Sequence, residues 1–349
     1  MFEFFKNLFR FGVDIGIDLG TSNILVYVKD RGIVIREPSV VAVDKRNGKV
    51  INVGSEAQAM IGRTPKNIVA IKPLMNGVIS DYESTEKLLK YFIGKVNNSK
   101  LFKPRIVVCV PGCVTEVEQR AVIDAAMHAG ARSVHLIEEP IAAAIGAGID
   151  ISKPYGNLIV DIGGGTTDIA VISLGGIVTS KSISVAGDKF DEAIIKHVRK
   201  KHGVTIGDRT AEEIKKQIGG VYYRTESVSC TAKGRNLSTG LPVTLNLSST
   251  EISDALEEPV SEICEAIHRV LEDTPPELLG DINTRGITLT GGSAALYGID
   301  KLIQRETGIE VEIASDPASC VAMGVGQSLD RISELDVLVD NRYRNTISL

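Results

Sequence analysis

A doubly built α/β architecture is what this sequence predicts, on three observations. Two strand–turn–strand units carry the same acidic, glycine-bearing turn, Ile-Asp-Leu-Gly-Thr-Ser around Asp18 and Val-Asp-Ile-Gly-Gly-Gly-Thr-Thr around Asp161, 143 residues apart. Strand, turn and helix signals alternate through both halves of the chain. The 349 residues, 43% hydrophobic and 24% charged, exceed one ordinary domain and hold enough Val, Ile, Leu and Ala for two cores. Two similar lobes with a cleft between them, each offering its own Gly-rich turn, are the expected arrangement.

The elements follow from local patterns. Val13 to Leu19 reads as a strand, Gly20 to Asn23 as a turn, Ile24 to Val28 as a second strand and Ile33 to Val43 as a long extended run. A helical pattern covers residues 84 to 97, and Arg105 to Val110 is a short buried strand ended by Pro111-Gly112. Thr115 and Glu118 form a capping box that opens a helix. Leu158 to Asp161 and Ile169 to Leu174 restate the opening pair of strands. Asp188 is placed as the cap of a helix with Phe190, Ile194 and Val198 inward and Gly203 at its end, and Thr210 to Glu213 as a second capping box. Tyr222 to Leu247 reads as β-structure. A long helix with Ile252, Leu256, Val260, Ile263 and Ile267 on one face then runs to Pro275-Pro276. Strand Gly286 to Thr290 and a strand–helix pair around Val311 and Val321 complete the series.

Composition narrows the class. A net charge of −5, with Lys196 to Lys201 as the one dense basic run, argues against nucleic acid as a partner. Five scattered cysteines and five histidines, none at zinc-site spacing, argue against a disulfide framework or a His/Cys metal centre. No apolar run approaches the ~20 residues of a membrane span, so a reduced, cytoplasmic protein is expected. On a wheel of roughly 100° per residue, Met1, Phe2, Phe4, Phe5, Leu8, Phe9 and Phe11 fall opposite Glu3, Lys6, Asn7 and Arg10. The charges interrupt any signal-peptide core. Two readings fit residues 1 to 11: a helix lying in a membrane interface, or a terminal helix packed on the body.

The two turns carry the chemistry. Asp18-Leu19-Gly20-Thr21-Ser22-Asn23 sets a carboxylate at a strand end before a turn whose amides and hydroxyls can hold phosphate oxygens, though an ordinary hairpin turn fits as well. Asp161-Ile162-Gly163-Gly164-Gly165-Thr166-Thr167-Asp168 is the stronger signal, since three consecutive glycines between apolar strands cost backbone entropy and suit a ligand touching the main chain. A polyphosphate gripped by both turns would bring Asp18 and Asp161 to a hydrated Mg²⁺.

This pairing of turns resembles the actin-like ATPase superfamily. Ile137 to Gly146 looks like that superfamily's first connecting segment, Leu289-Thr290-Gly291-Gly292-Ser293 like its adenosine motif, and Ser319 to Gly326 like its second connecting helix. Within it, the sequence is similar to the bacterial actins of the MreB and Mbl group, through Arg36-Glu37-Pro38-Ser39-Val40-Val41-Ala42, Ile61 to Pro65, Gly77-Val78-Ile79, Gly207 to Glu212 and Thr274 to Leu278. Ala186 to Asp191 leans toward the Mbl branch.

The resemblance implies an actin-like ATPase fold, with ribonuclease H-like cores in two lobes around a nucleotide cleft. Lobe I would take residues 12–150 and 327–349 with a subdomain at roughly 32–80, and lobe II residues 151–326 with a subdomain at roughly 188–250. It implies ATP or ADP with Mg²⁺ as cofactors. Gly20, Thr21, Ser22, Asn23, Gly163, Gly164, Gly165 and Thr166 would lie on the phosphates, and Asp18 and Asp161 on the metal through water. Glu139 would position the attacking water, assisted by Thr166. In-line attack on a γ-phosphate needs such an acceptor; first-turn helix charge is the other role open to Glu139, and Glu138 fits that role better. Gly187, Asp188, Glu212, Lys215, Gly291, Gly292 and Ser293 would surround the adenosine, although Glu212 and Lys215, three apart, also fit a surface ion pair. The chain departs from the group at Ser22, usually Ala, and at Ser293, usually Gly, where a side chain could crowd the nucleotide. The first turn carries no Lys, which leaves charge neutralisation to Mg²⁺ and main-chain donors and implies slow turnover.

Leu101 and Phe102, flanked by Lys100 and Lys103, stand where the group inserts a hydrophobic loop into membrane; beginning the next buried strand is the other reading. The implied protein is an ATP-hydrolysing filament former. It would assemble head to tail into protofilaments, paired antiparallel, as a peripheral protein on the inner face of the cell membrane. With the cell-wall elongation machinery and its membrane scaffold proteins it would set rod shape. A sugar-kinase-like phosphotransferase or a chaperone-type ATPase domain shares the fold, but neither a base for a sugar hydroxyl nor a peptide-binding domain is visible.

Overall fold

The computed structural model describes residues 13–97, 103–112 and 114–331. It divides into two compact units, one formed by the chain up to Ile149 and from Ser319 onward, the other by Asp150–Ala318. Each has its own core. Ile15, Ile17, Val26, Ile106 and Val108 lie in the first, and Leu158, Val160, Ile169, Val171 and Leu289 in the second.

The same sheet is built in both. In the first unit it runs Ser133–Glu138, Arg105–Val110, Asp14–Leu19, Asn23–Val28, Gly32–Pro38 from edge to edge. The second unit runs Val311–Ile313, Ile287–Thr290, Asn157–Ile162, Thr167–Ser173, Gly176–Ile183. In each, three parallel strands continue into two antiparallel ones. Asp14–Leu19 and Asn157–Ile162 are offset by the same 143 residues as the two turns. A fully buried run such as Asn-Leu-Ile-Val-Asp-Ile suits a central strand covered on both faces.

Among the described helices, Tyr82–Val96, Glu116–His128 and Ser249–Glu272 begin where a side chain serves a free amide. Asp81 accepts from the Ser84 amide at 2.9 Å and starts Tyr82–Val96. Thr115 and Glu118 form the expected capping box of Glu116–His128. Phe190, Ile194 and Val198 are buried along Gly187–His202, which Gly203 ends in the left-handed region at φ 62°. The long helix is Ser249–Glu272. None of the helices in the described residues is long and apolar enough to cross a membrane.

Several expectations need correction. Ile33 to Val43 is not one extended run, because Ser39 turns back to bond the Ser22 and Gly20 carbonyls. Val41–Asp44 then joins a separate sheet between Lys49–Val53 and Ile68–Ile71. Asp188 does not cap its helix, which starts at Gly187; its amide bonds the Gly164 carbonyl instead. Nor does Thr210 cap Asp208–Ile218, since the Ala211 amide already closes the first turn on Gly207. Residues 221–228 are irregular ahead of strands Ser229–Asn236 and Pro242–Ser248. The return to the first unit falls at Ser319, not at residue 327, because helix Cys320–Ser328 packs along Glu139–Gly146. The crossing is tight enough that a Cβ on Gly146 would lie 1.8 Å from the Cys320 carbonyl oxygen, and one on Gly324 1.8 Å from that of Ala142.

Candidate functional site

In the first unit, parallel register sets Ile17 beside Val108 and Leu136 beside Val108. The residues that follow, Asp18, Cys109 and Ile137 to Glu139, therefore gather at the carboxyl end of the sheet, the end where open α/β sheets place ligands. Cys109 Sγ donates to Asp18 Oδ1 at 3.4 Å and lies 3.9 Å from Glu139 Oε1. Burial pushes the Asp18 carboxyl up to about 6, against a smaller lowering by the thiol. Burial and the two carboxylates hold the Cys109 thiol well above its usual range, so it stays protonated at neutral pH. Glu139 is 8% exposed and opens helix Glu139–Gly146, while Glu138 is its N-cap and makes no side-chain capping bond. The first-turn position thus belongs to Glu139, not Glu138.

The turn itself is braced from behind. Thr21 is buried, and its hydroxyl accepts from the Gly77 amide at 3.0 Å. The Gly20 carbonyl takes the Ser39 hydroxyl at 2.6 Å. Gly20, Ser22 and Asn23 remain partly or fully exposed.

In the second unit, Asp161 is buried and accepts the Thr290 hydroxyl at 2.6 Å. The Gly163 amide bonds the Thr166 carbonyl at 2.9 Å and closes the turn. Both glycine carbonyls are tied back: Gly163 to the Gly187 amide and the Ser293 hydroxyl, Gly164 to the Asp188 amide. Among the described residues, no acceptor meets the amides of Gly164 and Gly165. That is a nest of donors suited to an anion. The Thr167 hydroxyl is spent on the Val185 carbonyl at 2.6 Å, which leaves Thr166, of the two threonines of this turn, with a hydroxyl that has no partner among the described residues.

The adenosine candidates also lie in this unit. Gly291 takes φ 86° with the Ile162 carbonyl 2.3 Å from any added Cβ, so only glycine fits. Lys215 donates to the Gly187 carbonyl at 2.7 Å and pairs with Asp191 at 2.9 Å. Glu212 pairs with Lys216 at 2.6 Å. Lys215 is therefore turned toward Gly187 and Asp191, which overturns the reading of it as a surface ion-pair partner of Glu212. Asp191 was missed by sequence reasoning; its spacing after Gly187, one helical turn on, was the available signal. The sequence pattern gives Cys109 no particular role, and only the pairing of three strands brings it between two carboxylates.

The residues present fit a magnesium nucleotide. Asp18 has no cationic partner among the described residues, and an oxygen donor of this kind suits a hard cation. Residues 1 to 11, including Phe2, Phe4, Phe5, Leu8 and Phe9, lie outside the described residues, as do Leu101, Phe102 and Cys113.

Two units with one repeated sheet, each ending its central strand in an aspartate before a polar turn, define the actin-like ATPase fold. The model of the MreB/Mbl protein family matches residues 12–337, and the chain belongs to that family. It is 53% identical over 326 residues to the cell shape-determining protein Mbl of Bacillus cereus, covering 93% of this chain and 98% of that one. To the cell shape-determining protein MreB of Escherichia coli it is 51% identical over 328 residues, covering 92% and 94%. A crystal structure of MreB 5 of Spiroplasma citri bound to AMPPNP superposes with a TM-score of 0.89 at 40% identity, covering 95% and 98%.

Proposed function

We propose that this chain is a bacterial actin that binds and slowly hydrolyses ATP and polymerises on the membrane to organise cell-wall synthesis. The observation that carries the reading is the turn at Gly163–Thr166, whose Gly163 and Gly164 carbonyls are held from behind while the Gly164 and Gly165 amides have no acceptor among the described residues. Such a turn takes a phosphate. A relative at 40% identity holding AMPPNP supports the nucleotide as its source.

In this reading the turn at Asp18 and the turn at Asp161 each serve nucleotide phosphates. Gly20, Ser22 and Asn23 act for the first, with Thr21 bracing it through Gly77; Gly163, Gly164, Gly165 and Thr166 act for the second. Asp18 and Asp161 would hold Mg²⁺, which would neutralise phosphate charge when bound. Glu139 accepts a hydrogen bond from the attacking water and orients it. Gly187, Asp188, Glu212, Lys215, Gly291 and Gly292 form the adenosine side, while Ser293, whose hydroxyl is committed to the Gly163 carbonyl, serves the phosphate turn. Filaments grow head to tail, the heterologous contact that leaves an open end, and pair antiparallel. Residues 1 to 11 and the Leu101-Phe102 loop seat them on the inner membrane face, alongside the scaffold proteins of wall elongation.

The test is sedimentation and electron microscopy of the purified chain with Mg²⁺ and ATP, with phosphate release followed in the same samples. Nucleotide-dependent filaments are expected. Glu139→Gln should keep ATP binding and slow release at least about 100-fold. Persistent monomers with every nucleotide, or unaltered release by Glu139→Gln, would overturn the assembly or the catalytic assignment respectively.

A further inference from the structure

We propose that Ser293 is a positioning residue that aims one phosphate donor of the second unit, and so governs how firmly a nucleotide's phosphates are held without governing its nucleoside. The inference rests on the nucleotide reading above.

The argument starts from the planarity of the peptide. The Gly163 carbonyl and the Gly164 amide belong to one rigid unit and point in opposite directions. Whatever fixes the carbonyl therefore fixes the amide. Ser293 Oγ donates to the Gly163 oxygen at 2.7 Å, and the Gly187 amide donates to the same oxygen at 3.3 Å. The next peptide is held likewise, its Gly164 oxygen taking the Asp188 amide at 2.7 Å, which orients the Gly165 amide. Glycine has no side chain to restrict such a turn, and these backward bonds supply the order that the triplet lacks. Of the three, only the Ser293 bond comes from a side chain.

Space around the hydroxyl is equally specific. A Cβ built on Gly187 would lie 2.7 Å from Ser293 Oγ, so the hydroxyl and a side chain at 187 exclude one another. The Gly187 carbonyl is in turn held by Lys215 Nζ at 2.7 Å. A hydrogen-bonded chain thus runs from Lys215 through Gly187 to the phosphate turn, and Ser293 joins it at the Gly163 oxygen with the shorter of the two bonds. The hydroxyl here does not crowd a nucleotide by default; its oxygen is committed to the turn.

The consequence is a split in ligand recognition. Loss of the hydroxyl frees the Gly163–Gly164 peptide to rotate, which weakens a ligand with phosphates and leaves one without them nearly unaffected. Titration calorimetry of the full chain with ADP and with adenosine reads this directly. For Ser293→Ala, the ADP dissociation constant should rise about five-fold, the worth of one neutral hydrogen bond, while that of adenosine changes less than about two-fold. Ser293→Gly should show the same split, and supplies the measurement if the alanine variant fails to fold. Equal losses for the two ligands, or no loss for ADP, would overturn the proposal. Failure of the unsubstituted chain to bind either ligand would instead overturn the nucleotide reading on which it stands.

Discussion

Lys215 and Asp191 form a half-buried ion pair, and its surroundings set how Asp191 titrates. The Asp191 carboxyl is pushed from 3.8 up to about 6, chiefly by burial, with Lys215 pulling it back. Between about pH 4 and pH 6 the unfolded chain has released a proton that the folded chain retains. The contribution of Asp191 to stability is therefore greatest below that window, falls as pH rises through it, and is level above it. Asp191→Asn should flatten this stretch of a plot of urea midpoint against pH, and an undiminished slope would assign it to another group. The Asp191 contact was not legible beforehand: Lys215 was expected beside the adenosine, with an ion pair to Glu212 as the alternative, because three-residue spacing on a helix is indifferent to what the neighbouring helix offers. Cys109 is the same lesson, its role arising from strands joined by parallel pairing.

At the scale of elements, glycines separate by what stands opposite them. Helix Cys320–Ser328 crosses Glu139–Gly146 so closely that a methyl on Gly324 would fall 1.8 Å from a carbonyl oxygen. Gly94 lies in the exposed part of helix Tyr82–Val96 with nothing within 4 Å of its Cβ position. Gly324→Ala should lower stability by about 3 kcal/mol or more, whereas Gly94→Ala should raise it by roughly 0.5–1 kcal/mol. Denaturant unfolding of both variants checks the pair, and similar changes in the two would sink the packing argument. Element types were legible from periodicity and caps, as with Glu116–His128, whose capping box stands where Thr115 and Glu118 put it. The failures were at starts: Asp188 and Thr210 have capping chemistry, but their amides and neighbours were claimed by Gly164 and Gly207. A cap motif competes with other acceptors, a distant one at Gly164 and one a helical turn upstream at Gly207.

For the whole molecule, duplication is the organising fact. An aspartate at the end of the central strand recurs after 143 residues, and the five-stranded sheet recurs around it with the same order and polarity. The proposed membrane attachment belongs to this scale too, since it concerns where the proposed filaments would come to rest. Removal of residues 1 to 11 should reduce co-sedimentation with anionic liposomes while ADP affinity stays within about two-fold. Unchanged liposome binding, with Leu101 and Phe102 also made polar, would remove the membrane assignment.

The sequence by itself determined the repeated α/β plan, the two aspartate turns and the family, because periodicity, glycine runs and motif order are properties of neighbours along the chain. Tertiary structure alone decided that Cys109 stands between Asp18 and Glu139, that Lys215 turns toward Asp191, and that Ser293 braces Gly163. Those contacts join residues up to 130 positions apart, and their partners are selected by strand register and helix packing, which minimise buried unpaired polar groups over the whole fold.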